Sequence, residues 1–272
     1  MKIALLGLGS MNGAILTGLQ QTGIPAENLV ATCNSQTSAD KAQQKYGITV
    51  YSSAQDAQAN SKAVADADVV LIGVKPAQVA ELLASVAPHL APNTIIVSVA
   101  AAVTLEQMAK VLPAGQPIIR TMPNTPTQVG AGVIGICAAE TTSADAVEKV
   151  QNLLGAAATT VVIPEADMDA LTGVSGSGPA YVFHFAEALI AAGVSAGLDE
   201  QTSRKLALGT IEGAAKMLAQ PDADPAAMRV AVTSPNGTTA AALEKLQPLS
   251  AMVEEAVVAS RDRATEISRS LD

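Results

Sequence analysis

The first thirteen residues constrain this chain most. Lys2 to Leu6 is a short apolar run and reads as a buried strand. Gly7-Leu8-Gly9-Ser10-Met11-Asn12-Gly13 comes next, and from Ala14 to Gln21 the apolar residues recur at helical spacing. Strand, glycine turn and helix in that order are the context of a dinucleotide fingerprint. Gly7 allows the tight turn, and Gly9 lets the backbone approach a pyrophosphate. The helix start supplies N–H donors and a partial positive charge. Asn12 stands at the sixth position of Gly-x-Gly-x-x-Gly, and Gly13 comes one later. The fingerprint is therefore degenerate, and its weight depends on the pattern of the downstream chain.

That pattern alternates. Leu29 to Cys33, Val69 to Val74, Thr94 to Val99, Ile118 to Met122, Gly132 to Ala138 and Thr160 to Ile163 read as strands, with helices between them. The second strand ends in Cys33-Asn34-Ser35, where an acid would bind the ribose 2′-hydroxyl of NAD. Asn34 and Ser35 can instead hydrogen-bond a 2′-phosphate, so NADPH is favoured and NADH remains possible. The alternative is a plain polar turn capping the helix from Ser38. Lys75 and Pro76 close the next strand, and Ala100 and Ala101 leave room after the one beyond it. In Pro123-Asn124-Thr125-Pro126, two prolines fix a loop that offers the Asn124 amide at the crevice.

From Pro164 the pattern changes to helices alone, with Glu165–Leu171, Pro179–Ala192, Asp199–Leu218 and Leu249–Ile267 all periodic. The expected architecture is α/β, with a Rossmann-type dinucleotide-binding domain over 1–163 and an all-helical domain over 164–272. Between them, Ser175-Gly176-Ser177-Gly178-Pro179 interrupts a helical region and marks the seam. The long Ala-rich helices carry more apolar surface than one small domain hides, so a second copy of the chain is the expected partner. Ser234-Pro235-Asn236-Gly237-Thr238-Thr239 leads into another helix. Successive N–H groups at that helix start suit a carboxylate, or form an ordinary cap.

The 272 residues carry a formal net charge of −9, which argues against nucleic acid, because phosphate-backbone binding needs a basic footprint. Cys33 and Cys137 lack metal-type spacing and read as reduced thiols of a cytoplasmic protein. No apolar run is long enough to span a bilayer. His89 and His184 lack partners at metal-ligand spacing, and no metal is expected.

Taken together, these motifs resemble the pyrroline-5-carboxylate reductase family nearly end to end. The N-terminal glycine turn, Val74-Lys75-Pro76, Met122-Pro123-Asn124-Thr125-Pro126, Asp169 to Tyr181 and the Ser-Pro-x-Gly-x-Thr loop occur in the family's order and spacing. The resemblance implies reduction of 1-pyrroline-5-carboxylate, a cyclic imino acid, to L-proline by an NADPH-dependent homo-oligomer that dimerises through its helical domain. It implies that Gly7, Leu8, Gly9, Ser10 and Met11 contact the cofactor phosphates. Asn34, Ser35 and Asn60 would hold the adenosine end. Val74, Lys75, Pro76, Ala100 and Ala101 would line the path to the nicotinamide. Gly237, Thr238 and Thr239 would hold the substrate carboxylate through their amides. The Thr239 hydroxyl would face the ring nitrogen as the catalytic group. Asp222 matches an acidic position beside the substrate, and Ser175 and Ser177 offer hydroxyls nearby. Asn236 replaces the family's first loop glycine, and Asn12 and Gly13 alter the start of the first helix.

Two other readings separate on particular residues. A β-hydroxyacid dehydrogenase would share Gly173, Gly176 and Gly178 but needs a lysine where Val182 stands and an asparagine where Ala186 stands. A non-catalytic NADPH-binding sensor would have lost the Ser-Pro-x-Gly-x-Thr loop, which is present.

Overall fold

The computed structural model describes residues 1–271. Eight strands form one sheet: β1 (Ile3–Leu6), β2 (Leu29–Cys33), β3 (Thr49–Ser52), β4 (Val69–Ile72), β5 (Ile95–Ser98), β6 (Ile118–Pro123), β7 (Gly132–Ala138) and β8 (Ala158–Val162). Their order is β3-β2-β1-β4-β5-β6-β7-β8, and every pair is parallel except β6–β7. The chain winds outward from β1 in both directions, so β1 and β4 flank the topological switch point, where doubly wound sheets bind ligands.

Helices α1 (Ser10–Gln21), α2 (Gln36–Tyr46), α3 (Ala59–Val64), α4 (Val79–Val86), α5 (Leu105–Ala109) and α6 (Ala144–Leu154) accompany the sheet. They bury it on both faces. One cluster holds Leu5, Ile15, Leu19, Leu71 and Val150, and the other Leu6, Ile72, Leu83, Ile96 and Met108. Burial on both sides explains why β1 and β4 are unbroken apolar runs with no alternation. Helix starts obey local capping chemistry. Ser35 caps α2 by accepting from Ser38 N at 3.2 Å, and Thr104 with Gln107 forms a capping box on α5.

The remaining helices are α7 (Met168–Leu171), which runs into a π turn (Thr172–Gly176), then α8 (Gly178–Ser195), α9 (Glu200–Leu218), α10 (Pro225–Ala231), α11 (Thr238–Lys245) and α12 (Leu249–Arg269). The chain divides into two compact units. One is Met1–Ser177 with the chain from Val258 onward, and the other is Gly178–Val257. In the second unit α8 and α9 form a hairpin around Gly197, which takes φ +105°. Ser203 Oγ donates to Ile190 O at 2.6 Å, and the hydroxyl occupies the space that a side chain at Gly193 would fill.

Several elements differ from the sequence reading for local reasons. Thr49–Ser52 is a strand because it pairs in parallel with β2, although four residues in a polar surrounding give little periodicity. β4 stops at Ile72, because Gly73 to Pro76 turns away into a short 3₁₀ segment. β7 returns antiparallel through the proline-fixed loop, with Gly130 at φ +72° closing it. Asp224, accepting from the amides of Ala226 and Ala227, and Pro225 at the first position start α10.

Candidate cofactor cleft and anion-binding loop

The end of β1 builds the first part of the site. Gly7 takes φ +79°, a conformation glycine adopts without strain, and a Cβ there would meet Val74 Cγ1 at 2.7 Å. Gly7 N donates to Thr32 Oγ1 at 3.2 Å and Leu8 N to Thr32 O at 2.8 Å, so β2 holds the turn in place. Gly9 is exposed, and a Cβ added there would meet nothing within 4 Å. No side chain caps α1. Its first-turn donors at Ser10 and Met11 therefore have no side-chain cap, as a phosphate site requires.

A cavity of about 350 Å³ adjoins this turn and brings together Gly7, Asn34, Asn60 and Val74. Thr32 and Glu81 also line it, and sequence reasoning missed both. A small polar residue at a strand end is the available signal for Thr32; Glu81 has no local signature. Cys33 lines the same cavity, and burial raises its thiol pKa. No acid follows β2: Asn34 and Ser35 are exposed there. The residues thus fit a phosphorylated dinucleotide. Ser35 also caps α2, so its hydroxyl serves the helix as well. Lys75 is exposed beyond β4, with Pro76 opening the segment after it. Ala100 is buried and Ala101 exposed after β5. Ala102 is held at φ +64°, a strained conformation for a residue with a Cβ.

Asn124, Ser175 and Ser177 are engaged within their own unit. Asn124 is 8% exposed; its Oδ1 accepts from Val133 N at 2.9 Å and its Nδ2 donates to Ser175 O at 3.0 Å. Ser175 Oγ donates to Leu171 O at 3.1 Å, and Ser177 Oγ lies 2.8 Å from Ser260 Oγ. Beside them is a charged group that the sequence reading passed over. Arg120, 6% exposed on β6, pairs with Glu165 at 3.1 Å and Asp169 at 3.5 Å. An arginine inside an apolar strand was its signal. Asn12, where the fingerprint carries glycine, is fully buried and donates to Gly7 O at 3.1 Å, beneath the turn.

The second unit carries the other locus. Asn236 adopts φ +57°, the left-handed geometry that its position demands in place of glycine. Gly237 leaves room for the Ser234 hydroxyl, and its N–H donates to Ser234 O at 3.0 Å. That bond engages the Gly237 amide within the turn. The next amides, of Thr238 and Thr239, open α11, where no side chain caps the helix. Asp222 lies exposed between α9 and α10 at φ +60°.

The fold and the glycine turn define a Rossmann-type nicotinamide-cofactor oxidoreductase with a helical unit whose 234–239 loop leads into an uncapped helix. Residues 2–102 match a family model described as NADP oxidoreductase coenzyme F420-dependent, and residues 165–267 match one described as pyrroline-5-carboxylate reductase dimerisation. A pyrroline-5-carboxylate reductase of Pseudomonas aeruginosa is 37% identical over 99% of this chain and 98% of its own length. A solved structure of a pyrroline-5-carboxylate reductase from Coxiella burnetii superposes with a TM-score of 0.91 at 31% identity, covering 97% of each chain. One from Plasmodium falciparum, solved with NADP bound, gives 0.84 at 28% identity over 98% of each. The chain belongs to the pyrroline-5-carboxylate reductase family.

Proposed function

We propose that this protein reduces 1-pyrroline-5-carboxylate to L-proline with NADPH. The observation that carries the reading is the pairing of two fitted loci in one chain: the dinucleotide cleft at the switch point, with Asn34 and Ser35 in place of an acid after β2, and the uncapped start of α11 behind Ser234–Gly237. Bound NADPH supplies the hydride that the imine carbon accepts. Gly7, Leu8, Gly9, Ser10 and Met11 hold its phosphates through the turn and the α1 amides. Asn34, Ser35 and Asn60 hold the adenosine end and tolerate a 2′-phosphate. Val74, Lys75, Pro76, Ala100 and Ala101 line the path toward the ring.

The amides of Thr238 and Thr239 take the substrate carboxylate, aided by the helix start. The Thr239 hydroxyl donates to the ring nitrogen as it becomes an amine. Asp222 supplies negative charge near the cationic imine, and Ser175 and Ser177 border the reacting ring. A protonated imine is already electrophilic, so the chain needs orientation more than proton transfer. Val182, 50% exposed on α8, offers no acid–base group for an alcohol substrate.

The family's dimerisation region supports self-association, and we take the working form to be a dimer or a higher assembly of dimers. Two buried free thiols, Cys33 and Cys137, suit the cytoplasm. No helix among the described residues is long and apolar enough to cross a membrane. The test follows NADPH absorbance with pyrroline-5-carboxylate and then with larger-ring imino acids. Turnover of pyrroline-5-carboxylate is expected. No oxidation with any cyclic imino acid overturns the proposal.

A further inference from the structure

We infer that Asn124 is a positioning residue that fixes the π turn Thr172–Gly176, and not a contact to the cofactor. The inference rests on the reductase reading. It starts from proline chemistry. In an α-helix the carbonyl of Ser175 would accept from the N–H of residue 179, and residue 179 is a proline without one. The turn is already widened: Ser177 N donates back to Thr172 O at 2.9 Å, a five-residue spacing. The Ser175 carbonyl thereby loses its regular partner.

Asn124 supplies the missing donor. Its Nδ2 reaches Ser175 O at 3.0 Å, and its Oδ1 is held by Val133 N at 2.9 Å, at the start of β7. The side chain is 8% exposed, so both bonds are shielded from water. Gly176 brings the turn onto β6, where a Cβ would meet Met122 Cε at 2.7 Å. Leu171 fills the space over Gly135 on β7. The π turn is thus seated on two strands by close packing, and Asn124 sets its polar register. Two motifs far apart in sequence, Pro123-Asn124 and Ser175 to Pro179, answer one another: the proline of one leaves a carbonyl that the asparagine of the other satisfies.

The two bonds can be separated. Asn124→Asp keeps an acceptor for Val133 N and replaces the donor facing Ser175 O with a repelling oxygen. Asn124→Ala removes both. For wild type and both variants, the measurements are kcat, the KM for pyrroline-5-carboxylate, the NADPH Kd by fluorescence titration, and hydrogen exchange of the 172–177 peptide. The expected result for Asn124→Asp is a roughly 10- to 100-fold fall in kcat, as for a misplaced reacting geometry. NADPH Kd should stay within about twofold, with faster exchange in 172–177 at an unchanged rate across β7. Weakened NADPH binding at unchanged kcat would make Asn124 a cofactor contact and overturn the inference. Unchanged kcat and unchanged exchange in a folded Asn124→Asp protein would also overturn it. If wild type consumes no NADPH with pyrroline-5-carboxylate, the functional reading fails first, which the wild-type arm alone reveals.

Discussion

Thr239 stands second in α11, half-buried, next to an amide that no side chain caps. Its proposed work is one positioned donor. Deleting such a donor in a water-poor site costs about 10²–10³ in kcat elsewhere, and here the ring nitrogen begins protonated, so the range widens to roughly 10- to 1,000-fold. Thr239→Ala should show that loss in steady-state kinetics, with Thr239→Ser recovering most of it. Turnover near wild type in Thr239→Ala would remove the hydroxyl from the chemistry. Cys137 poses a different single-residue question. Burial on β7, and secondarily the Glu165 carboxylate, push its thiol from 9.0 up to about 12. Between those values the unfolded chain releases the proton while the folded one keeps it. The unfolded state then binds fewer protons, so stability is flat below pH 9.0 and falls as pH rises toward about 12. Cys137→Ala should lose less stability over that window, read as the shift in urea midpoint. Equal alkaline shifts in the two proteins would refute the assignment.

Elements in this chain are joined by a few buried polar groups, and these were the hardest features to read from sequence. Arg120 on β6 ties Glu165 and Asp169, which flank the start of α7, while Thr265 on α12 donates to Asp169 Oδ2 at 2.7 Å and Glu165 Oε1 accepts from Leu105 N at 2.8 Å. One guanidinium thus anchors α5, α7 and the end of α12 to the sheet. Its removal leaves two carboxylates, a quarter to a third exposed, facing a void. Water relieves part of that, so Arg120→Ala should cost about 3 kcal/mol, the lower end for a broken buried pair. A denaturant midpoint shift below a third of that would show the network to be dispensable. The strands around it were legible because burial on both faces makes them continuous apolar runs, and the glycine turn because its backbone demands are local. β3 and the engagement of Asn124 were not. Each depends on a partner far along the chain, and periodicity carries no information about such partners. At the candidate site the turn Gly7–Met11 and the Ser234–Thr239 loop could be read from residue type. The commitment of the Gly237 amide, and Thr32 beneath Gly7, required three-dimensional pairing.

At the scale of the molecule, the helical unit Gly178–Val257 lacks a core of its own. Among its described residues Ser203 and Ala207 alone are buried on α9, and none is on α8, α10 or α11. Large apolar side chains face solvent instead: Phe183 at 61%, Met217 at 54%, Val230 at 66% and Met252 at 63%. Isolated monomers rarely show so much, and these residues come from four different helices, so surface snorkelling of one stripe does not account for them. A second copy covering them is the arrangement that matches the family's dimerisation region. Light scattering of wild type should therefore give a mass of at least two 27.4 kDa chains. Phe183→Asp with Met252→Lys places charges where an obligate interface is apolar, and should yield monomer at micromolar concentration. The cavity beside the glycine turn is lined wholly by residues of the other unit, from the ends of β1 to β4 and from α3 and α4. The charged double variant should then keep measurable NADPH affinity while turnover falls. A wild-type mass of one chain would refute the dimer. Loss of NADPH binding in step with dissociation would show that the cleft, too, depends on the second copy.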